Sequence, residues 1–486
     1  MNLAVNFRLI FYMCGWVVLV LAGVLILPVI PALTSGDGEV ASFLKSAAVA
    51  AVLAGLLLAQ GHRQNREDIR SRDGLATVGL AWLLIGLIGA LPYWFSGSFP
   101  SFWDGLFESV SGFSTTGATA AARVENLPAS IIFWRSLTNW LGGMGVIVLM
   151  LAVLPVFGLS GVQLFKHEST LGQQRVRPRI AQTAKTFWLI YAGLSLTLLL
   201  LLLAAGLSWF EALCHTLSTV ATAGFSSHSL SVGYYDRPAL EFILAIFIIL
   251  GSLNFALYYQ VARGDWKSLF RDTECRVFLL IIALAGAAVT LSLWGSRYYN
   301  DLPTTLRHAF FQVVSVISTT GLATADWQLW PAFCQGLLFA LFFVGGCSGS
   351  TSGGMKCVRW ILLFKGIRRT LRQQIHPRAV IPVRLGGQAV PEDVMTAVWS
   401  FTAIYFLVLT LTALALTALD LDLVTAFSAS AAALGNVGVG LGQLGPLGNY
   451  GQFPGLAKGV LILSMFLGRL EFFSLLILFL PEFWKK

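Results

Sequence analysis

Charge is scarce in this sequence. Lys, Arg, Asp and Glu together make up 11% of it, against about 25% in a soluble globular chain, which excludes an ordinary solvated surface. Cysteines supply no framework. The six (Cys14, Cys214, Cys275, Cys334, Cys347, Cys357) are scattered and form no CxxC pair, so neither a zinc site nor structural disulfides are expected. No GxGxxG follows a strand pattern and no Walker A pattern occurs, so no nucleotide site is visible in the chain. What is abundant is apolar: 56% of residues are hydrophobic and the mean hydropathy is +0.76.

Apolar runs near the ~20 residues needed to cross a bilayer fall at about 9–33, 39–60, 75–97, 128–157, 186–209, 238–262, 276–296, 331–363, 391–419 and 455–481. The first, Leu9 to Leu33, is longer than the ~7–15 residues of a signal-peptide core and lacks a clear cleavage site, so it reads as a retained span. The net charge is +9, and its placement argues for membrane topology and against nucleic acid. Basic residues cluster at Arg63 to Arg72, Lys166 to Lys185, Arg263 to Arg276 and Lys356 to Arg384, while the opposite loops hold chiefly Arg123, Arg237, Arg297 and Arg307. By the positive-inside rule the clusters and both termini face the cytoplasm.

Between later spans lie four shorter, Gly-, Ser- and Thr-rich segments: 101–120, 208–228, 305–325 and 421–443. They repeat: DGLFESVSGFSTTG (104–117), EALCHTLSTVATAG (211–224), HAFFQVVSVISTTG (308–321) and TAFSASAAALGNVG (425–438). Large apolar residues recur at Leu106, Leu213, Phe310 and Phe427, then at Phe113, Val220, Ile317 and Leu434. Three copies share a serine (Ser111, Ser218, Ser315), and all close on glycine, at spacings of 107, 97 and 117 residues. Small residues that merely permit tight helix packing would not place four copies in register. The fold class expected is therefore an all-α membrane protein: an N-terminal two-helix hairpin with its loop (1–73), then four helix–pore loop–helix units (74–160, 161–275, 276–385, 386–486) around a central pore.

Irregular backbone is tolerated inside a bilayer only where protein buries it or water lines it. Each repeat pairs a short apolar helix with Thr and Gly. Such a helix would end midway, aiming the negative end of its dipole inward and favouring a cation. The triplets Thr115-Thr116-Gly117, Thr222-Ala223-Gly224, Thr319-Thr320-Gly321 and Asn436-Val437-Gly438 would then stack carbonyl oxygens in rings that replace a cation's hydration shell. None contains a carboxylate, which disfavours a divalent ion. Asp104, Glu108 and Glu211 precede them, as field-generating charges at the outer mouth or as helix-start charges.

The stretches FESVSGFSTTGAT (107–119), FWRSLTNWLGGMGVIVL (133–149), TAGFSSHS (222–229), GGCSGSTSGGMKCVR (345–359), GNVGVGLG (435–442) and GRLEFFSLLILFLP (468–481) resemble the bacterial TrkH/TrkG/KtrB potassium-transporter superfamily over essentially the whole length. The N-terminal hairpin resembles the TrkH branch. The resemblance implies a bacterial inner-membrane homodimer with one pore per chain, potassium as the transported ion, and the four triplets as its selectivity filter. It also implies a cytosolic, nucleotide-binding TrkA-like ring as partner, with loops 163–185 and 364–384 as contacts. A serine in place of the first filter glycine goes with sodium selectivity in related proteins, so Gly117 points to potassium. Val439 stands where many relatives have proline, a departure that bears on the rigidity of the fourth segment.

The run GGCSGSTSGG (345–354) is a poor helix. The resemblance implies an intramembrane gating loop over 345–356, involving Gly345, Gly346, Ser348, Gly349, Gly353 and Gly354; a packing kink is the plainer reading. Lys356 follows as a possible cytoplasmic anchor. Arg469 sits near the middle of the last apolar run, where an arginine needs a cavity or a partner. The resemblance places it below the filter as an electrostatic barrier; an arginine bonded to loop carbonyls is the alternative. Arg135, at the start of a span, reads as a snorkelling or locally paired residue. No enzymatic activity is expected. GCSG at Gly346–Gly349 resembles a rhomboid-type serine motif, but none of the six histidines lies mid-span to act as its base. A broken-helix secondary transporter for another solute would show two large repeats rather than four small ones.

Overall fold

In the computed structural model, which describes residues 6–61, 71–153 and 176–484, the repeated segments and not the long spans form the innermost layer. Four short helices, here termed re-entrant for the expectation above, lie there: α6 (Phe102–Phe113), α9 (Trp209–Val220), α13 (Leu302–Ile317) and α17 (Leu423–Gly435). A 12-residue helix such as α6 is about 18 Å long, roughly half a ~30 Å hydrocarbon core. Each starts on a side-chain cap that satisfies an otherwise orphaned N–H: Ser101, Ser208, Asp301 and Asp422 accept from the backbone N–H three residues on.

The surrounding helices begin with a hairpin, α1 (Phe7–Val24), α2 (Val29–Ser35) and α3 (Val40–Gln60). Units follow in which one helix enters and a second leaves on either side of a re-entrant helix. Unit one uses α4 (Ser71–Gly89), α5 (Leu91–Phe95) and α7 (Ala129–Val153); unit two uses α8 (Val176–Ala204), α10 (Pro238–Ser252) and α11 (Phe255–Ala262). Unit three uses α12 (Thr273–Gly295), α14 (Ala332–Leu341) and α15 (Cys357–Ile375); unit four uses α16 (Glu392–Thr417), α18 (Gly455–Arg469) and α19 (Phe473–Leu476).

Among the described residues, six helical stretches are long and apolar enough to cross a membrane, or seven if α10 and α11, bent by 95°, count as one. Their outer faces are apolar and uncovered: Leu196 and Leu200 on α8, Leu284 and Leu291 on α12, and Leu407, Leu411 and Leu414 on α16 are each more than half exposed. Such stripes suit lipid, not water. The chain is a multi-pass membrane protein.

The outgoing helices depart from the expected continuous spans. α10 stops at Ser252 and restarts at Phe255 behind an Asn254 cap. The run 331–363 is helical only to Leu341, then again from Cys357. The last run stops at Arg469, where Phe472 N–H bonds Leu467 O at 2.9 Å and both Glu471 and Phe472 take left-handed conformations. The first run is also interrupted, between Val24 and Val29. Of the basic clusters, 62–70 and 154–175 lie outside the described residues. A two-stranded hairpin, Arg384–Leu385 with Gln388–Ala389, turns on Gly386 and Gly387 at φ 56° and 85°.

Candidate ion filter and the loop beneath it

The four re-entrant helices end in the same way. Thr116 N–H bonds Ser111 O at 2.9 Å while Thr115 N–H bonds Gly112 O at 3.0 Å. The same pair of bonds recurs from Ala223 and Thr222, from Thr320 and Thr319, and from Val437 and Asn436. This is the Schellman arrangement, which needs a left-handed residue just past the helix and usually takes glycine. Here that residue is Thr115, Thr222, Thr319 or Asn436, at φ 53°, 51°, 60° and 51°. Left-handed threonine is uncommon and strained, and three of them, with an asparagine at the fourth corresponding position, mark a constrained site. Two residues on, Gly117, Gly224, Gly321 and Gly438 take φ 77°, 85°, 76° and 82°, which glycine adopts without penalty.

These glycines form a closed cycle. A Cβ at Gly117 would fall 2.0 Å from Ala223 O, at Gly224 1.9 Å from Thr320 O, at Gly321 2.3 Å from Val437 O, and at Gly438 2.2 Å from Thr116 O. Segment one abuts two, two abuts three, three abuts four, and four abuts one. In each contact a glycine backbone meets the carbonyl that precedes the next glycine.

At the inner end the four side chains differ in their partners. Thr222 Oγ1 lies 3.2 Å from Thr351 Oγ1, and Thr319 Oγ1 accepts from Gly353 N–H at 2.7 Å. Asn436 donates to Thr116 Oγ1 at 2.9 Å and Met465 O at 3.1 Å. Thr115 Oγ1 is buried with no partner among the described residues.

Thr351 and Gly353 belong to the segment between α14 and α15, which passes directly against the inner ends of segments two and three. The break between α10 and α11 explains why it docks there. Breaking a helix frees its last carbonyls, and Gly251 O and Ser252 O accept from Thr351 N–H at 3.2 Å and Cys347 N–H at 2.9 Å. Gly349 O accepts from Phe255 N–H at 3.0 Å. Gly345, Gly349 and Gly354 are left-handed, at φ 68°, 73° and 68°. A Cβ at Gly346 would meet Ser352 Oγ at 2.5 Å, and one at Gly353 would meet Gly435 O at 2.7 Å. Ser348, the serine of the GCSG motif, bonds a carboxylate: its N–H and Oγ lie 2.8 and 3.2 Å from Glu274 Oε1. The same oxygen accepts from Val358 N–H at 2.8 Å, at the start of α15, where an anion is favoured.

Lys356 is buried, and its ammonium bonds Ser352 O within the segment instead of reaching the cytoplasm. Arg469 is 3% exposed and donates to Thr351 O at 2.8 Å and to Gly142 O of α7 at 3.2 Å. It therefore ties the segment to unit one. Glu471 turns away to pair with Arg359 at 2.6 Å. Thr351, Gly142 and Glu274 were not singled out from sequence; the only local sign was a threonine in a run of Gly and Ser.

The acidic residues expected near the mouth divide. Glu108 is 0% exposed and bonds Arg135 at 2.6 Å, so neither residue faces the outer surface. Asp104 forms a capping box with Ser101 and pairs with the buried Lys458 ammonium. Asp104→Ala would leave that ammonium uncompensated, and the expected cost is about 3–5 kcal/mol, read as lower thermal stability of detergent-purified protein; unchanged stability would refute the pairing. Glu211 is partly exposed and bonds Ser208 at 2.8 Å and His228 at 3.0 Å. In the neighbouring loop, burial alone would raise the Glu125 carboxyl, but bonds of 2.6 Å from Ser229 N–H and Oγ, with His228 nearby, hold it below its ordinary value.

Known proteins share this architecture. A family model for TrkH, described as "Cation transport protein", matches residues 40–486. The Trk system potassium uptake protein TrkH of Salmonella typhimurium is 41% identical, over 99% of this chain and 100% of its own. TrkG of Escherichia coli is 36% identical over 86% of this chain and 87% of its own. The crystal structure of the potassium transporter TrkH from Vibrio parahaemolyticus superposes with a TM-score of 0.92 at 37% identity, covering 99% of this chain and 100% of that one. The chain belongs to the TrkH family of cation transport proteins.

Proposed function

We propose that this chain takes up potassium across the bacterial inner membrane, as its TrkH relatives are named for doing, and that it is a transporter and not an enzyme. One observation carries the reading: the closed cycle of four left-handed glycines, each against a neighbouring carbonyl. A cation on the axis of that cycle exchanges its water for main-chain oxygens of Thr115–Gly117, Thr222–Gly224, Thr319–Gly321 and Asn436–Gly438. The helix C-termini behind the triplets add a favourable potential, and the absence of carboxylates suits a monovalent ion.

The segment 345–356 acts as the gate. Its support is its position against Thr222 and Thr319, with Arg469, Lys356 and Glu274 as its ties. Potassium is cargo, and no resident cofactor is invoked. Both termini lie on the cytoplasmic side, a reading supported by the basic loops 263–276 and 356–384 and, for the ends sharing one side, by Phe7 stacking on Trp484 at 5.6 Å. The chain works as a homodimer with a TrkA-like nucleotide-binding ring. The exposed Arg368, Arg372 and Arg378 at and beyond the end of α15 offer an acidic partner a basic surface.

Expression in a strain lacking potassium uptake, together with such a ring protein, should restore growth at low potassium; failure to rescue would count against the reading. Gly117→Ser adds a side chain at φ 77° that meets Ala223 O. It should cut uptake steeply, as at the other glycines of the cycle, and lower the potassium-over-sodium preference of the flux that remains, measured by rubidium uptake in competition; an unchanged preference would remove Gly117 from the filter.

A further inference from the structure

Behind the first two filter segments lies an ionic brace. Glu108, midway along α6, and Arg135, on α7, are 0% and 1% exposed and meet at 2.6 Å. The guanidinium also donates to Thr119 Oγ1 and to Ser226 O, each at 3.2 Å, and lies 4.2 Å over the Phe225 ring. Thr119 and Ser226 each stand two residues beyond their filter glycine. One planar cation therefore clips two adjacent segments at the same level. The carboxylate takes the Thr119 hydroxyl at 2.9 Å and Ala120 N–H at 2.8 Å.

The other units show what this position does. The counterparts of Glu108 in the repeats are His215, Gln312 and Ala429. With its amide oxygen turned to accept, Gln312 takes Thr324 N–H at 2.8 Å. Thr324 follows Gly321 by three residues, as Ala120 follows Gly117. In unit four, Ser428 Oγ accepts from Leu441 N–H at 2.5 Å, again three residues past the glycine. A polar group from the re-entrant helix thus pins the same backbone position in three units. In unit one that group is an anion, and its cation reaches across to the next segment.

We infer that Glu108 and Arg135 are a positioning pair that fixes the spacing between the first and second filter segments and thereby ion preference. The inference rests on the filter reading above. A lone guanidinium so close behind a cation path would repel the ion, and the buried carboxylate cancels it. Lysine would keep the charge but lose the planar fork that reaches several oxygens at once.

The test uses purified full-length protein in liposomes, with radioactive rubidium uptake competed by potassium or sodium. Glu108→Gln and Arg135→Lys should each lower potassium-over-sodium preference by about tenfold, and Glu108→Gln should also raise the rubidium concentration for half-maximal uptake. Thr119→Val, which removes the hydroxyl shared by both partners, should shift preference the same way but less. Only monodisperse variants are compared; where a charge variant does not yield such protein, Arg135→Lys or Thr119→Val decides. Parent-like preference in the variants would overturn the pairing while leaving the filter standing. A parent that does not distinguish potassium from sodium would overturn the filter reading itself.

Discussion

Gly224→Ala should abolish potassium uptake while the protein still reaches the membrane. The residue sits at φ 85°, and its new Cβ would fall 1.9 Å from Thr320 O, a backbone atom of the next segment. Left-handed alanine costs about 1–2 kcal/mol, a modest part of the stability of a chain this size. The close approach matters more, because the contacted atom is a main-chain oxygen and not the end of a side chain that can swing aside. Segments two and three must separate by about an ångström, and a misplacement of that size costs on the order of 100-fold where geometry is critical. The measurement is rubidium uptake normalised to membrane protein level. Parent-like uptake would mean that the cycle of glycines is not the ion path. Gly438→Ala, which meets Thr116 O at 2.2 Å, should behave alike, since it closes the same cycle from the other end.

Arg469→Ala should raise flux through the purified chain in the absence of any regulatory partner, by at least about tenfold. Arg469 is the tie between Thr351 in the segment 345–356 and Gly142 of α7, and hydrogen bonds from a charged donor in a buried site are each worth about 1.5–3 kcal/mol. Losing two of them shifts the balance toward a displaced segment by more than the ~1.4 kcal/mol that corresponds to tenfold. Arg469→Lys separates two ways in which the residue acts. A lysine retains the charge but not the reach to both carbonyls. If it leaks like alanine, the residue is chiefly a strut; if it stays closed, the charge itself is the barrier. Unchanged flux in both variants would sink the gating assignment of Arg469.

Much of this architecture was legible in the sequence because it is written locally and four times. The recurring large apolar residues, the serine shared by three copies and the closing glycines all lie within one short segment per unit. What escaped depends on distant partners or lacks punctuation. Helix α18 ends at Arg469, ahead of left-handed Glu471 and Phe472, neither of which signals a stop as glycine or proline would. Glu108 and Arg135 are 27 positions apart, and nothing between them marks the pair. Read singly, Glu108 is a mouth charge or a helix-start charge and Arg135 a snorkelling or locally paired residue; the local pairing is what the structure shows, but the sequence does not name the partner. Its place directly after the Gly- and Ser-rich run makes Lys356 a cytoplasmic anchor on sequence, yet the Ser352 carbonyl holds its ammonium inside the segment.

The cycle of four segments is drawn from one polypeptide, and its quadrants are chemically unequal: Thr-Thr-Gly, Thr-Ala-Gly, Thr-Thr-Gly and Asn-Val-Gly. In an assembly of identical subunits, any substitution would strike every side of the conduit at once. With these triplets as the proposed filter, a single codon alters one quarter of the coordination sphere, so ion preference can be adjusted in small steps, one quadrant at a time, without first losing the whole.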